Sequence, residues 1–198
     1  MKEQKPKPQV NNLPDVEQLE AELKRVNYNS RFRQLLRSTV YTLIVVAAVA
    51  VLVAVLFMPV LRIYGSSMTP TLEEGEIVVS VKTKNVKQGD VVGVYYGSKL
   101  LIKRCIAVGN QWVNITDEGD VYVDGEILEE PYVSDKSLGQ CDISMPYQVP
   151  ENTIFVLGDH RETSVDSRLS TLGCIDKEEV VGRIVFRIWP LNKFGAIK

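Results

Sequence analysis

Leu100-Leu101-Ile102-Lys103-Arg104-Cys105-Ile106-Ala107-Val108, "LLIKRCIAV", puts two cations in the middle of an apolar run. The run is bounded by "YYGSK" before it and "GNQ" after it, and it is rich in β-branched and aliphatic residues, which reads as a strand. Alternate residues of a strand share a face. Lys103 then lies beside Leu101 and Cys105, and Arg104 points to the opposite side. A lysine held among apolar neighbours loses solvation and gives up its proton more readily, so it can serve as a base. The bland alternatives are an edge lysine that discourages aggregation and one that snorkels to water.

Outward from this strand the texture stays β. "EIVVSVKT", "DVVGVYY", "WVNIT", "VYVDGEIL", "TIFVLG" and "VVGRIVFRI" are short Val- and Ile-rich runs punctuated by Gly, Asp and Asn. "NITDEGDVYV" predicts a hairpin turning at Asp117-Glu118-Gly119-Asp120. "DKEEVV" at 176–181 could form one helical turn, and the stretch from Pro131 to Pro150 reads as an irregular surface loop or extension. Residues 62–198 are thus expected to form a mainly β domain, an antiparallel barrel or folded sandwich. There is no internal repeat.

Upstream lies a different kind of sequence. Ser38–Leu61 contains 24 residues without a charge, bracketed by Arg37 and Arg62. A bilayer core needs about 20 apolar residues in a helix, and 24 would span about 36 Å. The run is too long, and begins too late, for a cleaved signal peptide. Lys24, Arg25, Arg31, Arg33 and Arg37 precede it, against Arg62 and Lys82 over a similar distance beyond. Positive flanks stay inside, so the N-terminus is expected in the cytoplasm and residues 62–198 outside it. Residues 1–14 are polar, with Lys and Pro, and are expected to be disordered. Val16, Leu19, Leu23 and Val26 recur at helical spacing and predict a short amphipathic helix capped near Asp15. It could lie on the inner leaflet or pair with another copy. A second helix is expected to start near Asn29-Ser30, with Pro59 ending or kinking it. The expected organisation is therefore a cytoplasmic segment at 1–37, a transmembrane helix at 38–61 and an extracytoplasmic domain at 62–198.

The chain of 198 residues carries a formal net charge of −2, which gives no reason to expect nucleic acid as a partner. Cys105, Cys141 and Cys174 are odd in number and show no zinc-binding spacing. The single histidine, His160, sits in "LGDHRETSVDSR", a polar loop; a Ser-His-Asp triad would have to use it. A neutral lysine offers another way to activate a serine. Just after the apolar run comes "GSSMTPTL", Gly65 to Leu72. Both Ser66 and Ser67 precede Met68, and pattern alone does not choose between them. Backbone N–H groups of such a tight turn could hold an oxyanion.

Six blocks occur in one order: "GSSMTPTLEEGEIVV", "KQGDVV", "LIKRCIAVGNQWV", "VYVDGEILEEPYV", "VLGDHRETSVDSRLSTLGCI" and "VGRIVFRIWPL". Together they resemble the bacterial type I signal peptidases, membrane-bound Ser-Lys proteases, over most of residues 35–198. The resemblance implies that Ser67, directly before the Met, is the nucleophile and Lys103 the general base. It maps Ser164 to the serine that orients the lysine. It maps Asp159, Asp166 and Arg168 to the supporting polar network, in which Arg104 pairs with one of the acids. Met68 and Pro70 would shape the turn and the substrate cleft. Some members carry a hydroxyl two residues before the nucleophile; Gly65 here leaves backbone N–H groups, helped by Ser66, as oxyanion donors. His160 replaces the usual Asn after "GD". Lysine rather than histidine at 103 resembles the bacterial type, and the spacing resembles compact Gram-positive members. The implied activity is removal of signal peptides from exported preproteins at A-x-A-type sites, near the translocon, with no metal or cofactor. A protease dedicated to a special substrate, or an inactive homologue that binds, would share most of these residues.

Overall fold

The computed structural model describes residues 15–197. A single helix, α1, runs from Val16 to Phe57. Asp15 caps it: the Val16 N–H donates to Asp15 Oδ1 at 2.8 Å. The expected boundary at Asn29-Ser30 is absent. The Ser30 hydroxyl donates to the Asn27 carbonyl at 2.9 Å, so a residue that often caps helices is accommodated inside one. The amphipathic and apolar segments are therefore one continuous helix. Thr39 and Thr42 likewise donate to the carbonyls of Leu35 and Ser38, each at 2.9 Å, which satisfies two hydroxyls in the apolar stretch. Among the described residues α1 is the one helix long and apolar enough to cross a membrane, and none of its residues is buried.

The helix stops at Phe57 rather than Leu61. Pro59 has no N–H to continue the ladder and disfavours helical backbone at Met58. Val60 and Leu61, expected in the apolar helix, instead enter a strand, β1 (Val60–Arg62). The chain divides into two compact units between Leu52 and Val53. The first is helical.

The second unit is mainly antiparallel sheet. After β1 come β2 (Ile77–Val81), β3 (Val91–Tyr96), β4 (Lys99–Val108), β5 (Trp112–Ile115), β6 (Val121–Val123), β7 (Glu126–Ile127), β8 (Tyr147–Gln148), β9 (Thr153–Leu157), β10 (Ile175–Asp176), β11 (Val180–Trp189) and β12 (Gly195–Ala196). The larger sheet has the order β1-β2-β11-β3-β4-β9-β10, with β12 against β11; the smaller is β7-β6-β5-β8. Ile106, Phe155 and Leu157 of the larger sheet share a core with Val113, Ile115, Val121 and Val123 of the smaller one. This packing is the folded, two-sheet form of the expected β domain. The 117–120 turn closes as expected, with Gly119 at φ 88°, a conformation glycine adopts without strain. Residues 131–150 are irregular apart from β8, yet Leu138, Ile143, Met145 and Tyr147 pack on the shared core. The 176–181 segment is a turn into β11, not a helix: the Glu179 N–H donates to the Asp176 carbonyl at 2.9 Å.

Two features of this architecture position the chemistry. β4 lies between β3 and β9, so its middle residues have strands on both sides. A second core formed by Ile63, Met68, Leu72, Val78, Val91 and Ile184 anchors the turn that follows β1. Burying one such side chain is worth about 1.5–3 kcal/mol, so Met68 and Leu72, at 2% and 0% exposure, hold that turn down.

Candidate active site

The Gly65–Leu72 turn is pinned at both ends. Gly65 takes φ 80°, a left-handed conformation that favours glycine. The Thr69 N–H donates to the Ser66 carbonyl at 3.0 Å, and the Leu72 N–H to the Met68 carbonyl at 2.8 Å. Ser66 is exposed and Ser67 half-buried. Ser67, Gly65 and Met68 line a cleft of about 500 Å³ together with Ile63, Leu101, Ile102 and Lys103. Ser66 and Pro70 are not among its lining residues; Pro70 sits exposed on the turn, after a cis peptide bond. Among the described residues no protein group accepts a hydrogen bond from the Ser67 N–H.

Lys103 is 3% exposed. Its Nζ donates to Ser164 Oγ at 2.9 Å, and it makes no ion pair within 4 Å among the described residues. Burial is the main force on its proton and lowers the pKa from 10.5 to about 8. Asp166 and Asp159 oppose that fall, whereas Arg168 adds to it. Ser67 and Lys103 make no direct hydrogen bond here; they meet as walls of one cleft.

Arg104, the next residue of β4, has different partners. Its Nε and Nη2 grip both oxygens of Asp159 at 2.9 and 2.7 Å, and its Nη1 donates to the Gly89 carbonyl at 2.8 Å. Asp159 also accepts from Thr71 Oγ1 of the Gly65–Leu72 turn. Arg168 is bidentate to Asp166, Nε to Oδ1 at 2.8 Å and Nη2 to Oδ2 at 2.9 Å. Both pairs are sealed, with side chains at most 1% exposed. Each guanidinium is matched by a carboxylate, so the surroundings of Lys103 carry little net charge and desolvation decides its protonation. The imidazole of His160 contacts the Thr163 hydroxyl, whereas its backbone N–H donates to the Ser67 carbonyl at 3.1 Å.

Several residues not singled out from the sequence belong to this constellation. Gly158 passes so close to the turn that an added Cβ would lie 2.2 Å from Ser164 Oγ and 2.5 Å from the Ser67 carbonyl oxygen. Thr71 ties the turn to Asp159. Arg161 pairs with Glu130, and Tyr132 lies over Arg104. Gly158 and Arg161 fall inside "GDHRETSVDSR", where a glycine before two polar residues was the available signal. Burial pushes the Cys105 thiol up to about 12, which leaves it an unreactive packing residue. No group of three or more His, Cys, Asp and Glu side chains suited to a metal occurs among the described residues.

Residues 35–189 match the family model described as signal peptidase, peptidase S26. A "Signal peptidase I" of Bacillus licheniformis is 35% identical over 168 residues, 78% of this chain and 89% of the relative. A "Signal peptidase IB" of Staphylococcus aureus is 35% identical over 153 residues, 67% of this chain and 78% of the relative. A crystal structure of a signal peptidase I from Enterococcus faecalis superposes with a TM-score of 0.41 at 25% identity, covering 50% of this chain and 96% of the other. On the extent of the family match and the identity to these relatives, the chain belongs to the S26 signal peptidases and is a serine peptidase.

Proposed function

We propose that the protein removes signal peptides from exported preproteins with Ser67 as nucleophile and Lys103 as general base. The observation that carries this reading is the Lys103 amine: buried, bonded to a hydroxyl rather than a carboxylate, and facing the cleft that holds Ser67. Near neutral pH a fraction of the amine is uncharged, since its pKa is about 8. Neutral Nζ takes the proton of Ser67 Oγ, which attacks the carbonyl at the end of the signal peptide. The oxyanion sits against the Ser67 N–H, a donor unused by the fold. Collapse breaks the C–N bond. The Nζ proton passes to the leaving amine, and the mature protein departs. Water, deprotonated by Nζ, then hydrolyses the Ser67 ester and releases the signal peptide.

Ser164 keeps the amine pointed at the cleft while the amine gains and loses its proton. The apolar walls from Ile63, Met68, Leu101 and Ile102 suit small side chains at A-x-A-type positions. α1 anchors the enzyme in the cytoplasmic membrane, N-terminus inside and β domain outside, near the translocon. Confinement to the substrate's membrane raises the effective substrate concentration.

The test is processing of a preprotein with an A-x-A site by purified enzyme. Ser67→Ala and Lys103→Ala are expected to lose processing, and Ser66→Ala to retain it. Undiminished cleavage by Lys103→Ala would remove the mechanism.

A further inference from the structure

The strap Gly158-Asp159-His160 lies against the Ser67 carbonyl, which accepts the His160 N–H at 3.1 Å, and its backbone is held from both sides. The Gly158 N–H donates to Asp166 Oδ2 at 3.0 Å, and the Gly158 carbonyl accepts from Arg161 Nε at 3.0 Å. The first partner belongs to the network that the family resemblance points to. The second does not. Arg161 is 1% exposed, and its two Nη atoms fork onto both oxygens of Glu130. Glu130 lies outside the strap, beyond β7 of the smaller sheet, with its side chain sealed from solvent. The same Glu130 accepts from the Tyr132 hydroxyl at 3.0 Å, and the Tyr132 ring lies 3.7 Å from the Arg104 guanidinium carbon. Arg104 in turn grips Asp159. One short segment, Glu130 to Tyr132, therefore bears on both arginines that fix the strap, Arg104 at Asp159 and Arg161 at the Gly158 carbonyl.

We propose that Glu130, with Arg161 and Tyr132, forms a positioning clamp that sets Gly158 against Ser67 and Ser164 and so holds the serine–lysine geometry in register. None of the three touches substrate. Their effect runs through the Gly158 carbonyl. The Gly158 backbone runs so near Ser164 that an ideal Cβ on it would fall 2.2 Å from Oγ, so the position of the strap sets the space in which the hydroxyl that orients Lys103 sits. A fork of two parallel hydrogen bonds fixes direction as well as distance, which a single contact would not. Tyr132 keeps its proton, since burial and the Glu130 carboxylate push its pKa well up, so it remains a donor to Glu130 while the enzyme works.

This inference rests on the Ser67–Lys103 reading, and the experiment separates the two. Full-length enzyme in detergent is assayed on a preprotein substrate, well below each variant's melting temperature. Glu130→Gln keeps the shape and removes the charge that holds the fork. Its kcat is expected to fall about tenfold, the scale of a sub-ångström misplacement of reacting groups, with KM within about twofold because the cleft walls are untouched. In a Ser164→Ala background the same change should cost only about threefold, because the two act through one another. An unchanged kcat, a loss confined to KM, or an undiminished tenfold loss in the Ser164→Ala background overturns the clamp. If Glu130→Gln does not fold, Tyr132→Phe takes its place, with an expected two- to threefold fall in kcat at constant KM; a kcat equal to the parent's overturns the proposal. Ser67→Ala and Lys103→Ala run alongside. If they still cleave, the underlying reading fails, whatever Glu130 does.

Discussion

Lys103 and Arg104 are neighbours on β4, equally deep at 3% and 1% exposure, and they occupy opposite electrical worlds. Arg104 has a carboxylate in hydrogen-bond contact, Asp159, as do the other buried guanidiniums around the site, Arg161 with Glu130 and Arg168 with Asp166. On the cleft side the lysine has a hydroxyl. Paired charges stay charged; an unpaired amine is free to shed its proton. Adjacent positions of one strand thus carry an ion-paired guanidinium and an amine with no carboxylate partner, and the two-residue alternation of the strand is enough to give them different partners.

The comparison breaks most sharply if a permanent cation is placed on the cleft side. Lys103→Arg cannot deprotonate, so processing should fall about a thousandfold or more, as expected for losing a general base; a preprotein cleavage assay reads it. On the other side, Asp159→Ala strands a buried guanidinium. Thermal or urea unfolding should show a loss of about 3–5 kcal/mol, and an unfolding curve like the parent's would mean that the pair is replaceable. A milder probe leaves both sides intact and changes pH. In the proposed mechanism the amine acts when neutral, and its pKa is about 8, so kcat/KM should level off above that pH and fall about tenfold per unit below it. A profile flat down to pH 6 would dissociate the rate from Lys103. The smallest effect is a gain. The folded pKa of Lys103 lies below the ordinary lysine value of 10.5. Protonation therefore costs the fold on the order of 3 kcal/mol below about pH 8, a cost that fades between pH 8 and 10.5 and is gone above. Losing the Ser164 hydrogen bond offsets about 1 kcal/mol of that. Lys103→Met should therefore be inactive yet roughly 2 kcal/mol more stable at pH 7, with the advantage vanishing at high pH.

The two sides were also unequally legible in the sequence. An apolar run with a lysine at its centre announces a buried amine, because strand alternation needs only neighbouring residues. The choice of Ser67 over Ser66 came from family resemblance, since two adjacent hydroxyls are identical to any local rule; what distinguishes them in space is that one lines the cleft and the other does not. The clamp was invisible because Glu130 and Arg161 are 31 positions apart, and no periodicity links the smaller sheet to the strap. The sheet order was equally hidden: β11, near the end of the chain, inserts between β2 and β3, a long-range pairing that local propensity does not encode. In the helix the error ran the other way. Asn29-Ser30 suggested the start of a second helix where the helix simply continues, whereas Pro59 acted as its covalent structure requires.

The sealed arginine–carboxylate pairs bear on where such an enzyme can work. Mobile ions screen charges they can approach, and these lie at most 1% exposed. The proton affinity of the amine is then set by matter that dissolved electrolyte does not reach. A site built this way carries its own fixed dielectric surroundings with it from dilute water to brine.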